Sequence, residues 1–169
     1  VGKLLPNKGF DRLLSIINQL RKETYGIHLY ILGVGPEEKK LKKYTEDHNL
    51  TNYVDFLGYQ DNPYKYVSKC DLFVCSSYRE GFSTAATEAL MVGTPVCTVS
   101  VSGMTEMLGE NNEYGVVTEN NDKSLFEGIK CLLDDKTLLN YYRTKAFERG
   151  KMFNTESTVD AVEKMLLML

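Results

Sequence analysis

Short β-rich runs alternate with longer helical patterns along the chain, and this alternation restricts the fold more than any other feature. Ile27-His28-Leu29-Tyr30-Ile31-Leu32 stops at Gly33, and Val54-Asp55-Phe56-Leu57 stops at Gly58. Residues 71–75, 95–99 and 114–117 continue the series. Each run is rich in β-branched or aromatic residues and bounded by turn formers, which predicts a strand. Between the strands, Leu13, Leu14, Ile17 and Leu20 recur at helical spacing. Residues 36–48 open with Pro36-Glu37-Glu38 and carry lysines later, an order that suits the helix dipole. Residues 62–69 predict a short helix. Ser83 or Thr84 is placed to cap a helix running to Met91, with Gly93 and Thr94-Pro95 to end it. Residues 122–134, 136–150 and 156–168 predict three closing helices. Strands alternating with helices imply a doubly wound, mostly parallel sheet covered on both faces, a Rossmann-like α/β fold. A length of 169 residues without linker or repeat points to a single domain over residues 1–169.

Composition and motifs remove several function classes. The net charge is -3 and no basic stripe is visible, so nucleic acid is not an expected partner. The longest apolar runs, residues 72–75 and 96–101, fall far short of the roughly 20 residues of a membrane span. The four cysteines show no C-x-x-C spacing and read as buried, reduced thiols of a cytoplasmic protein. His28 and His48 are the only histidines and form no cluster with cysteine, so no metal site is expected. Gly33-Val34-Gly35 lacks the third glycine of a dinucleotide fingerprint, because position 38 is Glu38, and no P-loop is present. Ser76, Ser77 and Ser83 have no nearby histidine for a hydrolase triad. Lys39, Lys40, Lys42 and Lys43 interleave with Glu37, Glu38, Glu46 and Asp47, which reads as a solvated helix face. The sharper reading of that cluster is peripheral contact with an anionic membrane.

In open parallel sheets ligands bind beyond the carboxyl ends of the strands. The segments of interest are therefore residues 33–36, 58–62, 76–83 and 100–105. The third of these reads Ser76-Ser77-Tyr78-Arg79-Glu80-Gly81-Phe82-Ser83 and runs into Thr84-Ala85-Ala86-Thr87-Glu88. Glu80 falls in the loop and Glu88 two turns into the next helix. A small-residue helix start lies between them, and free N–H groups at a helix N-terminus seat phosphate. Gly81 there permits a positive φ and a close backbone approach. Carboxylates on either side of a diphosphate would accept hydrogen bonds from sugar hydroxyls. Taken alone, Glu80 reads more readily as a solvated loop charge. Glu88, among Ala85, Ala86, Ala89 and Leu90, is less comfortable as a bystander.

Glu80-Gly81-Phe82 with Glu88-Ala89-Leu90, followed by Gly93-Thr94-Pro95-Val96, resembles the E-x7-E signature of family 4 glycosyltransferases. Val1-Gly2-Lys3-Leu4 with Asn7-Lys8-Gly9-Phe10-Asp11 is similar to that family's opening segment. Ile31-Leu32-Gly33-Val34-Gly35-Pro36, Val54-Asp55-Phe56-Leu57-Gly58 and Phe153-Asn154 resemble three further family elements in the same order.

The resemblance implies the C-terminal, donor-binding half of a GT-B fold. In such an enzyme a nucleoside-diphosphate sugar would give its hexosyl group to an acceptor hydroxyl with retention, in bacterial surface or extracellular polysaccharide synthesis. Lys8 matches a lysine that contacts the donor diphosphate, and Lys3 stands where the family usually has arginine. That change keeps the charge and loses the bidentate fork. Glu80 matches the glutamate that faces the donor sugar and Glu88 the one that holds the ribose hydroxyls. The backbone from Gly81 through Phe82, Ser83 and Thr84 would meet the diphosphate and sugar, with Ser83 where the family often has glycine. Gly33, Gly58 and Tyr59 match positions lining the nucleobase pocket. Tyr59 reads equally as a surface residue beside a turn.

The expected donor is a UDP-sugar, ahead of a GDP-sugar, with no tightly bound cofactor and no metal requirement. Val1-Gly2-Lys3-Leu4 reads as the inside of a strand-to-loop element, so the chain is expected to begin mid-protein. The acceptor half of the cleft would belong to a separate N-terminal domain. The apolar end of the last helix, Met165 to Leu169, is expected to pack on that domain. The competing reading is a non-catalytic Rossmann-like module that binds a nucleotide or a protein.

Overall fold

A computed structural model describes residues 1–23 and 25–153. The helix expected over 156–168 and its packing on another domain lie outside these residues. Five strands run in chain order as β1 (Leu29–Leu32), β2 (Val54–Gly58), β3 (Phe73–Cys75), β4 (Val96–Val99) and β5 (Val116–Thr118). The α-helices between and after them are α1 (Phe10–Lys22), α2 (Glu38–Asp47), α3 (Tyr64–Val67), α4 (Thr84–Met91), α5 (Met104–Leu108), α6 (Asp122–Asp134) and α7 (Lys136–Gly150). Short 3-10 turns occupy Pro6–Lys8 and Lys151–Phe153.

All strand pairing is parallel, as the alternation requires, and it falls into two blocks. β1 pairs with β2, and β3, β4 and β5 follow in that order. Leu29 stands opposite Val54, with an irregularity between Ile31 and Leu32, while Val96 stands opposite Phe73 and Cys97 opposite Val116. The strand expected from Ile27 begins instead at Leu29, whose N–H meets Tyr53 O at 2.8 Å.

Side-chain alternation then builds a core on each face of the three-stranded block. Phe73, Cys75 and Val96 pack with Ala86, Ala89 and Leu90 of α4, Met107 of α5 and Ala146 of α7. Cys97 and Val99 point the other way, toward Leu13, Ile16 and Leu20 of α1 and Leu125, Ile129 and Leu132 of α6. Helix α1 is apolar over a broad stripe, so Leu14 and Ile17 also reach Ile31, Leu41 and Val54 around the two-stranded block. Each such side chain, fully buried, contributes about 1.5–3 kcal/mol. Asp11 in the first turn and Arg21 and Lys22 in the last suit the dipole of α1.

Helices α6 and α7 occupy the expected spans because their starts are capped. Asn121 accepts from Ser124 N–H, and Asp135 accepts from Thr137 and Leu138 N–H. Helix α5 falls where a loop was expected over 100–105. Its five residues are too few to show a period, but Met104, Met107 and Leu108 are buried.

Candidate functional site

The carboxyl end of β3 opens onto a cleft of about 320 Å³ whose lining includes Lys3, Lys8, Glu80, Phe82, Ser83 and Thr84. These residues come from two stretches, the start of the chain and the β3–α4 connection. Gly9 brings the two together. It adopts φ 64°, and a Cβ there would stand 2.0 Å from Ser76 O. Any other residue would push the entry to α1 away from the loop after β3. Lys8, one residue earlier, is thereby placed against Glu80.

Lys8 Nζ donates to both carboxylate oxygens of Glu80, at 2.8 and 2.7 Å. Ser77 Oγ donates to Glu80 Oε2 at 3.0 Å. The pair is well shielded, with the Glu80 side chain 12% exposed and the Lys8 side chain 28%. Glu80 is therefore a held carboxylate and not a freely solvated loop charge. Lys3 lines the same cleft and is exposed, with no side-chain partner among the described residues.

Helix α4 begins at Thr84, and Ser83 is its cap, accepting a hydrogen bond from Ala86 N–H at 3.3 Å. The Ser83 hydroxyl is thus turned under the helix and buried. The N–H groups of Thr84 and Ala85 at the start of the helix have no intrahelical acceptor, which is the condition for an anion seat. Phe82 stands over this end, 56% exposed. Gly81 does not use the positive φ that glycine permits, and a Cβ there would meet nothing within 4 Å. Its contribution is room beside the start of α4.

The remaining expected residues lie outside this lining. Glu88 is half-buried on α4, one turn beyond Thr84, and its carboxylate has no hydrogen-bonding partner among the described residues. Gly33 and Gly58 are joined by a 2.7 Å backbone bond at the ends of β1 and β2. Gly33, at φ 130°, packs on the backbone of Gly2, where a Cβ would meet Gly2 O at 1.9 Å. Tyr59 beside them is 72% exposed and stacks on no ring among the described residues.

Behind the cleft sits a clamp that no motif announced. The Arg12 guanidinium is buried, donates to Asn120 Oδ1 at 2.8 Å and to Ser76 O at 3.5 Å, and lies 4.2 Å over the Tyr78 ring. Its Nε stands 2.8 Å from Asp122 Oδ1, an ion-pair contact without hydrogen-bond alignment. Asn120 donates to Tyr78 O, Tyr78 N–H to Asn7 O, and the Asn7 side chain to Arg79 O. Burial and the neighbouring Asp11 carboxylate push the Tyr78 hydroxyl above its ordinary pKa. Arg12 thus ties the loop bearing Glu80 to the turn bearing Lys8.

Among the described residues, no group of three or more His, Cys, Asp or Glu is placed to hold a metal ion. None of the described helices is long and apolar enough to cross a membrane. The lysine-rich helix α2 pairs Lys40 with Glu37 and Lys42 with Glu38 on its own surface.

Comparison with known proteins adds an independent line. The family model described as glycosyl transferases group 1 matches residues 1–149. A Campylobacter jejuni protein, N-acetylgalactosamine-N,N'-diacetylbacillosaminyl-diphospho-undecaprenol 4-alpha-N-acetylgalactosaminyltransferase, is 37% identical over 99% of this chain and 45% of its own length. The crystal structure of S. aureus TarM in complex with fondaparinux, alpha-GlcNAc-glycerol and UDP superposes with a TM-score of 0.85 at 27% identity. That match covers 98% of this chain and 33% of TarM. Anabaena HepE in complex with UDP agrees in fold, with a TM-score of 0.86 at 22% identity over 99% of this chain and 47% of HepE. The chain spans about half the length of the curated relatives it matches, or less.

Proposed function

The chain belongs to the group 1 glycosyltransferases and has the GT-B type of α/β fold, and on that footing we propose that it binds a nucleoside-diphosphate sugar for transfer to an acceptor hydroxyl. The observation that carries this reading is the Lys8–Glu80 pair beside the open N-terminus of α4. It sets a cation, a row of N–H donors and a carboxylate around one cleft, the set a sugar diphosphate needs.

In the proposed complex the diphosphate sits at the start of α4. Lys8, Lys3 and the N–H groups of Thr84 and Ala85 neutralise it. When the bond from the anomeric carbon to the diphosphate breaks, its electron pair leaves with the phosphate oxygen. These donors stabilise that growing charge without a metal. The acceptor oxygen bonds to the anomeric carbon with retention, and its proton passes to the departing diphosphate. Glu80 orients the sugar hydroxyls, Glu88 takes the ribose hydroxyls, and Tyr59 with the Gly33–Gly58 turn borders the base. Phe82 shields the sugar side.

UDP is the favoured carrier, on the strength of the UDP-bound TarM structure. Relatives named for undecaprenol-linked glycan, lipopolysaccharide core and poly(glycerol-phosphate) synthesis support a role in bacterial polysaccharide or glycoconjugate assembly. The acceptor would be held by a second, N-terminal domain, on the cytoplasmic side and with peripheral contact to the membrane.

Calorimetric titration with UDP, GDP, ADP and NAD in parallel tests the reading. Selective binding of UDP supports it in full, and selective binding of GDP keeps the donor site but reassigns the base. Equal binding of all four, or of none, overturns it.

A further inference from the structure

Ser77 has no part in the proposed chemistry, yet it touches a group that does. It lies just beyond β3 and is buried. A buried hydroxyl needs an acceptor for its proton. The buried Thr94 and Thr98 turn to backbone carbonyls, of Val67 and Val99. Ser77 donates instead to the Glu80 carboxylate, at Oε2 and 3.0 Å.

The serine is itself held from behind. Its Oγ lies 3.7 Å from Cys75 Sγ, in a buried contact. With the hydroxyl proton committed to Glu80, the thiol is the donor in that contact. The backbone next to it is pinned as well, because Tyr78 N–H donates to Asn7 O at 2.8 Å. Ser77 Oγ is therefore a fixed point beside the cleft.

As a result the two oxygens of Glu80 are not equivalent. Oε2 accepts from Ser77 at 3.0 Å and from Lys8 at 2.7 Å. Oε1 accepts from Lys8 alone among the described residues, at 2.8 Å. The terminal torsion of a glutamate is broad and roughly two-fold, so an unanchored carboxylate exchanges its oxygens freely. One fixed donor removes that freedom. In the proposed complex Lys8 turns to a phosphate. Oε2 then keeps Ser77, whereas Oε1 loses its donor on a side chain that is largely shielded from water. A shielded carboxylate short of donors is costly, and a sugar hydroxyl supplies the missing one.

We propose that Ser77 is a positioning residue for the donor sugar: it anchors Glu80 through Oε2 and so presents Oε1 to a sugar hydroxyl. The proposal rests on the donor-binding reading and extends it to a residue outside the diphosphate contacts. Bare UDP carries no sugar, so Ser77 matters to the sugar-bearing donor and not to the nucleotide alone.

Calorimetric titration of this chain with UDP, UDP-glucose, UDP-galactose, UDP-N-acetylglucosamine and UDP-N-acetylgalactosamine tests it. GDP and GDP-mannose take their place if the base is guanine. Ser77→Ala is expected to weaken the best-bound sugar nucleotide by about threefold to tenfold and to leave the bare nucleotide within about twofold. In a Glu80→Ala background the same substitution is expected to change neither, because Ser77 acts through Glu80. Should Ser77→Ala fail to fold, Ser77→Cys, of similar size and with a weaker donor, carries the same comparison. Equal weakening of the bare and sugar-bearing nucleotides overturns the proposal, since the loss would then be one of packing. So does binding of both as in the parent, or a loss that persists in the Glu80→Ala background. A parent chain that binds neither UDP nor GDP removes the donor-binding reading itself, a separate failure seen before any substitution is made, and this proposal falls with it.

Discussion

Lys8 and Glu80 neutralise each other across the cleft in a two-pronged ion pair, 72 residues apart in sequence. Both are the groups a sugar diphosphate would need, one for phosphate and one for hydroxyls. In the proposed complex, entry of the nucleotide draws Lys8 from the carboxylate to the phosphate. Glu80→Gln weakens the competing partner and leaves Lys8 free. The expected outcome is UDP binding tighter by about 0.5–1 kcal/mol, together with loss of sugar transfer in the full enzyme. Calorimetry with UDP reads the first and a transfer assay the second. Weaker UDP binding in this variant would mean that Lys8 does not meet the phosphate.

Lys8→Ala should act in the opposite direction. Removing the cation costs about 1–3 kcal/mol of UDP affinity, the scale of a hydrogen bond to a charged group. It also flattens the dependence of affinity on ionic strength, because one screened charge contact is gone. Titrations at low and high salt measure both effects.

Glu88 stands without a hydrogen-bonding partner among the described residues, half-buried on α4. A carboxylate so placed is available to ribose hydroxyls. Glu88→Gln is expected to weaken UDP binding by about 1–3 kcal/mol while leaving the thermal midpoint nearly unchanged. Comparing uridine with a deoxyribose analogue checks the assignment. The two should differ less in the variant than in the parent.

How much of this was legible beforehand depends on the reach of the interactions. Helix α6 could be read because its signals are local, an apolar period inside and Asn121 as its cap, whereas α7 carries no such period and is marked only by Asp135, three or fewer residues from the N–H groups it meets. Ser83 as a cap was legible for the same reason. The split of the sheet was not, because it turns on which edges find a neighbour. The positive φ that Gly81 permits is not used there, whereas Gly9 and Gly103, at the starts of α1 and α5, do adopt it. At the site, the resemblance singled out Lys3, Lys8, Glu80 and the start of α4, and the fold brings these to one cleft. The Arg12 clamp escaped notice because its partners lie far along the chain. Arg12 meets Asn120 at a separation of 108 residues, which no spacing rule reveals.

Gly9→Ala tests the joint between α1 and the Glu80 loop. A methyl group would have to occupy space 2.0 Å from Ser76 O, on a backbone at φ 64°. Strain of both kinds predicts a loss of about 2–4 kcal/mol in unfolding free energy, read from denaturant titration. UDP affinity should fall as well, because Lys8 is displaced from Glu80.

The cysteines give a check on the core that is independent of any ligand. Burial pushes the Cys97 thiol up to about 12, whereas Cys131, read from the sequence as buried, is exposed because it sits on the outer face of α6. Near pH 8 the Cys97 thiolate is present at roughly one part in ten thousand, and the thiolate is the reactive form. Alkylation of the native protein should label Cys131 readily and Cys97 only after unfolding. Mass spectrometry of the labelled peptides decides it.

The central claim is that a nucleoside diphosphate binds between Lys8 and the start of α4, and mapping amide chemical shifts during a UDP titration tests it most directly. The account predicts saturable shifts concentrated at Lys8, Ser77, Glu80 and residues 82–85, with a smaller set at Gly33, Gly58 and Tyr59. Saturable binding whose shifts spare residues 82–85 and fall elsewhere would contradict it.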